Sequence, residues 1–119
     1  MYNSPQDFRK KVLGRRAEDQ TAKYLKQHGY KLIARNYKTP YGEADIIAFK
    51  DGYYHFVEVK ARESDLFGLP AEAVDKRKRE RYRKMAAFFC MTKKAEVPIR
   101  FDIASVYEGE LEYFEDAYI

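Results

Sequence analysis

Gly42-Glu43-Ala44-Asp45-Ile46-Ile47, the pair Asp51-Gly52, and Phe56-Val57-Glu58-Val59-Lys60 decide how this chain folds. Two apolar runs around Asp-Gly read as a β-hairpin, because a two-residue type I′ turn needs positive φ and glycine supplies it at little cost. With Asp51 and Gly52 at the centre of the turn, Lys50 faces Tyr53. Counting back along the strands then sets Asp45 opposite Glu58 and Glu43 opposite Lys60. Directly opposed residues have Cβ atoms about 4.5–5.5 Å apart. Two carboxylates held that close repel unless a cation lies between them. The hairpin therefore predicts a divalent metal site.

Glu58 and Lys60 are two residues apart and project from one face of their strand, while Val57 and Val59 project from the other. Mg²⁺ takes hard oxygen ligands, commonly one or two carboxylates, and keeps water or phosphate in its other positions. Asp45, Glu58 and the main-chain carbonyl of Val59 make such a set. A lysine beside them neutralises the carboxylates or orients a water. The same residues also read as solvated ion pairs on a surface strand, and the local pattern does not choose between the two.

Outward from the hairpin, Ser4-Pro5 marks a helix start, with Ser4 as N-cap and Asp7 completing the pattern. The helix runs to about His28 and stops at Gly29. Its expected buried stripe is Phe8, Val12, Ala22 and Leu25, and Gly14 is expected to admit another backbone. Glu18 lies on the edge of that stripe. It either reaches back to the carboxylate pair or is an ordinary surface charge. A strand follows at 30–37, then a turn at 39–42 and strands at about 43–49 and 53–61. A loop at 62–70 leads into a helix from about Ala71 or Asp75 to Met91. Strands at 99–107 and 111–114 flank the turn Glu108-Gly109. The order α-β-β-β-α-β predicts an α/β fold around a central mixed sheet, with Asp45 and Lys60 at one rim.

The chain has 119 residues, which fits one domain, 1–119. Its one cysteine, Cys90, excludes an internal disulfide framework and suits a reducing cytoplasm. Cys90 reads as a small buried helix residue rather than a nucleophile. No run of about 18 apolar residues is present, so no membrane span is expected. The formal net charge of +4 is unevenly spread. Residues 76–84 hold seven basic side chains against one acid, and Arg9, Lys10, Lys11, Arg15 and Arg16 cluster on the first helix. The stretch from Glu108 to Asp116 carries five acids and no base. Such segregation predicts a phosphate-binding face for a polyanion.

These motifs resemble the PD-(D/E)xK nuclease superfamily, with Asp45 at the motif aspartate and Glu58-Val59-Lys60 at the E-x-K. The chain looks more closely like the YraN-like family of small bacterial proteins, which are similar to archaeal Holliday-junction resolvases. The likeness runs through Gly14-Arg15-Arg16-Ala17-Glu18, Ala34-Arg35-Asn36-Tyr37, the two hairpin strands to Arg62, Phe67-Gly68-Leu69-Pro70, Ala73-Val74, Lys78 and Arg100-Phe101-Asp102-Ile103. It departs from the family pattern at Ala17, Ala44 and Arg79. The resemblance implies a three-layer, restriction-endonuclease-like core. It implies a nuclease-type site of Glu18, Asp45, Glu58 and Lys60, lined by Glu43, with Lys78 as the basic position of the second helix.

The expected chemistry is hydrolysis of nucleic-acid phosphodiesters, DNA first, with Mg²⁺ or Mn²⁺ on Asp45, Glu58, Val59 and Glu18. Lys60 would orient the attacking water, and Arg15, Arg16, Arg62, Lys78 and Arg79 would grip phosphates. Tyr37, Tyr41 and Phe67 are candidate platforms for unpaired bases. A homodimer is expected by analogy with the resolvases. The rival reading is a non-catalytic nucleic-acid-binding or scaffold protein with the same fold, and RNA is a third possible partner.

Overall fold

The structure is a computed structural model that describes residues 5–62 and 76–117. Its elements are α1 (Pro5–Gln27), β1 (Lys31–Thr39), β2 (Gly42–Lys50), β3 (Tyr53–Arg62), α2 (Lys76–Lys93), β4 (Ile99–Tyr107) and β5 (Glu110–Phe114). The Ser4 cap, Phe67, the loop with Gly68 and Pro70, and the expected start of the second helix lie outside the described residues.

The five strands form one open sheet in the order β1-β2-β3-β4-β5. The pairs β1–β2 and β2–β3 are antiparallel, β3 and β4 run parallel, and β4 and β5 are antiparallel. Antiparallel neighbours need only tight turns, and these are where the sequence puts them. Asp51 and Gly52 have φ of 51° and 86°, and Glu108 and Gly109 have 49° and 77°. Both pairs fit a type I′ turn. A parallel pair needs a long crossover, and the connection from β3 to β4 contains α2. The expected element order and mixed sheet are thus observed.

The helices cover opposite faces. Consecutive strand residues point to opposite sides, so Ile46 and Val57 pack with Ala22, Leu25 and Tyr30 beneath α1. Ile47 and Phe56 pack with Tyr82, Met85 and Phe89 beneath α2. The first helix ends as the sequence predicts. Gly29 adopts φ 85°, Tyr30 N–H donates to Leu25 O at 2.9 Å, and Gly29 N–H to Lys26 O at 3.3 Å, a Schellman arrangement.

Two expectations for α1 fail. Phe8 is 54% exposed rather than buried, and Val12 is only half-buried. Among the described residues of α1, none before Ala17 is buried; the packed stripe is Ala17, Thr21, Ala22 and Leu25. The sheet thus supports only the second half of the helix. Gly14 accordingly has no neighbour within 4 Å of where a Cβ would sit, so no backbone approaches it.

Away from the hairpin's open end, the sheet is tied by a buried polar cluster. Asp102 on β4 is fully buried and accepts from His55 Nδ1 at 2.6 Å, from the Tyr113 hydroxyl, and from Asp116 N–H at 2.7 Å. Burial and the adjacent Asp102 push the Tyr113 hydroxyl far above its ordinary pKa, which keeps it a donor. With its oxygens satisfied by three donors, Asp102 can stay buried without the usual penalty for an unpaired polar group.

Candidate active site at the open end of the hairpin

The β2–β3 ladder has the register that the turn dictates, from Lys50↔Tyr53 to Ile46↔Val57. It stops there, which corrects the expectation that Asp45 pairs with Glu58 and Glu43 with Lys60 across the ladder. From that point β2 stays with β1 as far as Thr39↔Gly42, while β3 stays with β4 as far as Arg62↔Tyr107. The sheet forks. Val59 N–H, which a continued ladder would join to a main-chain carbonyl, donates to Asp45 Oδ2 at 2.8 Å. The side chain of Asp45 closes the gap between the strands.

The functional side chains meet at this fork. Glu58 is two residues from Phe56 and shares the face that α2 covers, whereas Asp45 lies where alternation in β2 breaks, since Ala44 and Ile47 both pack beneath α2. Glu58 is 6% exposed. One of its oxygens is ion-paired with Lys78 Nζ, and the other accepts from the Tyr82 hydroxyl. Lys78 and Tyr82 are one helical turn apart, so a single face of α2 supplies both contacts.

The electrostatics follow from this crowding. Burial, then the charge of Glu58, pushes the Asp45 carboxyl up to about 7, against the pull of Val59 N–H. Burial, then the charge and hydrogen bond of Lys78, lowers the Lys60 ammonium below its ordinary range, against the attraction of Glu58 and Asp45. Glu18 also bears on Asp45. Its carboxylate, however, lies 3.3 Å from Arg35 Nη2, which is held more closely by Asp19 at 2.7 Å.

The expected residues therefore separate into groups. Asp45, Glu58, Lys60 and Lys78 come together, with Glu18 within electrostatic reach. Glu43 is exposed and lines a groove between α1 and β1 with Glu18 and Arg15. Arg16 is exposed on α1 near Phe8, Arg79 is half-buried beside Lys78 in the chain, and Arg62 ends β3 next to Tyr107. Tyr37 packs edge-on against Phe89, so it belongs to the core and is no base platform, whereas Tyr41 is 47% exposed. Sequence reasoning missed Tyr82 and Arg35. The signal for Tyr82 was its helical spacing from Lys78, and that for Arg35 its place in the Ala34-Arg35-Asn36-Tyr37 motif.

Among the described residues, no three His, Cys, Asp or Glu side chains gather as a metal cage. The chemistry of Asp45 and Glu58 nevertheless suits a hard cation that keeps part of its water. Val59's carbonyl leaves β3 on the same side as the N–H that reaches Asp45. A cation there would take the place now held by the Lys78 ammonium.

The sequence pattern of the uncharacterised protein family UPF0102 matches residues 17–106. The chain belongs to this family. Its UPF0102 relatives include a protein of Dictyoglomus thermophilum, 46% identical over 81% of this chain and 82% of the relative. Another, from Thermodesulfovibrio yellowstonii, is 37% identical over 89% of this chain and 95% of the relative. One from Alkaliphilus metalliredigens is 39% identical over 91% and 98%. The region matching UPF0102 begins one residue before Glu18 and includes every residue of the fork and its α2 partners.

Proposed function

We propose that this UPF0102 protein hydrolyses phosphodiester bonds of nucleic acid, with DNA as the first substrate, using Mg²⁺ or Mn²⁺ held by Asp45 and Glu58. The observation that carries the reading is the fork itself: a half-buried acid closing the gap between two strands, with a second acid and a lysine beside it. Support also comes from the resemblance of these motifs to PD-(D/E)xK nucleases and archaeal junction resolvases, and from the basic run that opens α2.

A divalent ion bound there supplies charge for a phosphate oxygen and a lowered pKa for its water. The chain's own residues do the rest. Val59 N–H fixes the direction of Asp45, and the Tyr82 hydroxyl fixes that of Glu58. Lys60, with its proton loosened by burial and by Lys78, orients the attacking water and stabilises charge on the phosphate. Lys78, released from Glu58, meets a phosphate oxygen.

The test is a cleavage panel of labelled junctions, flaps, single strands, duplexes and structured RNA with Mg²⁺ or Mn²⁺. Cleavage dependent on the ion is expected, and Asp45→Asn or Glu58→Gln should abolish it while sparing DNA binding. Absence of both cleavage and calorimetric Mn²⁺ binding would overturn the catalytic reading. A specific observation favours the alternative of a binding module: both Glu58 oxygens are already engaged, by Lys78 and Tyr82. Persistent DNA binding with no thermal response to Mn²⁺ would select that alternative.

A further inference from the structure

The motif Ala34-Arg35-Asn36-Tyr37 has a place in this fold that the fork does not use. A groove of about 560 Å³ runs between α1 and β1. Its cations are Lys11 and Arg15 from α1, one turn apart on one face, and Arg35 and Lys38 from β1. Its acids are Glu18, Asp19 and Glu43. Regular alternation would send Arg35 and Lys38 to opposite sides of the sheet. Asn36 between them has φ 53°, which breaks the alternation, and both line the groove. Asparagine tolerates this left-handed backbone better than most side chains.

The groove abuts the fork. Asn36 falls between the pairs Arg35↔Ile46 and Tyr37↔Ala44, level with Asp45. Glu43 is two residues from Asp45, and Glu18 acts on the Asp45 carboxyl. A track of cations thus leads to the acids of the candidate site from the side opposite to α2.

We propose that this groove seats a single strand of nucleic acid, with its phosphates against Lys11, Arg15, Arg35 and Lys38. The proposal rests on the nucleic-acid reading above and specifies its substrate as unpaired strand. The volume is that of a small-ligand pocket, on the order of 300–1,000 Å³, which admits a nucleotide or two and not the body of a duplex. Basic grooves that track one backbone are how single strands are held without reading sequence. Arg35 is shared: without ligand it bridges Asp19 and Glu18, and a phosphate draws its planar fork away. Occupancy of the groove then frees Glu18 beside Asp45.

Anisotropy with a labelled oligothymidylate and a matched duplex, at several salt concentrations, tests this. Arg35→Ala/Lys38→Ala is compared with Lys26→Ala/Lys31→Ala, which removes equal charge outside the groove. Lys11→Ala/Lys38→Ala leaves the Arg35 ion pairs intact and serves if the Arg35 variant melts early. Groove variants should bind oligothymidylate about tenfold or more weakly, with a salt slope lower by roughly 1.4 for two lost contacts. The control should stay near wild type. Equal weakening in groove and control variants would overturn the groove while leaving nucleic-acid binding intact. Weakening confined to the duplex would overturn the choice of a single strand. No binding of either probe by the wild type, even at low salt, would sink both the groove and the reading it rests on.

Discussion

At Asp45, burial and the charge of Glu58 both favour the protonated acid. The folded protein therefore keeps a proton there between the ordinary 3.8 and about 7, where the unfolded chain has lost it. More protons bound in the folded state means that stability falls as pH rises through that window. Melting of metal-free protein from pH 4.5 to 8 should show this decline, and Asp45→Asn should flatten it by a few degrees; parallel curves would contradict it. Lys78 supplies a second prediction. Its ammonium holds Glu58, so Lys78→Met should tighten Mn²⁺ binding, measured by calorimetry, by about tenfold, since a neighbouring positive charge at partly screened distance is worth on the order of 1 kcal/mol. Unchanged affinity would show that the two cations do not compete. Asp45, Glu58 and Lys60 were legible as neighbours because the tight turn brings their two strands together, although the cross-strand pairs counted from it do not form. Tyr82 and Arg35 were not, because their acidic partners lie on other elements; the spacing of Tyr82 from Lys78 shows only that the two share a helix face.

The elements were more legible than their burial. Strand and turn positions follow from glycine, proline and alternation, and the observed bounds lie close to those expected. The fork was invisible, because hairpin counting assumes that the ladder continues and ignores the competing pairing of β2 with β1 and β3 with β4. The stripe on α1 was overextended for a similar reason: periodicity names a face but not how far the surface beneath it reaches. Gly14 turns this into a measurement. It is in a helix with open space at its Cβ position, so Gly14→Ala should stabilise the protein by about 0.5–1 kcal/mol in urea unfolding. Gly42 is the opposite case. Its φ is 134°, and an added Cβ would lie 3.0 Å from Arg81 Cδ. Gly42→Ala should cost about 1–3 kcal/mol in the same assay.

Across the whole molecule, β3 links two polar centres of different kinds. Near its start, His55 joins the Asp102 cluster, which has its donors and acceptors matched; near its end, Glu58 and Lys60 form a centre where like charges crowd. Asp102→Ala leaves buried donors without an acceptor and should cost about 3 kcal/mol or more. If enough folded protein survives, its Mn²⁺ affinity should match the wild type, because that cluster belongs to the opposite face of β3. The outer border of the sheet has its own consequence. β1 is an edge strand with a register shift between Leu32 and Ala34, a left-handed residue at Asn36, and exposed Lys31, Arg35 and Lys38. Such a border is a poor template: a second copy laid alongside would meet broken pleating and its own positive charges. Fibril-like stacking through this strand is disfavoured, and self-association is steered to other surfaces.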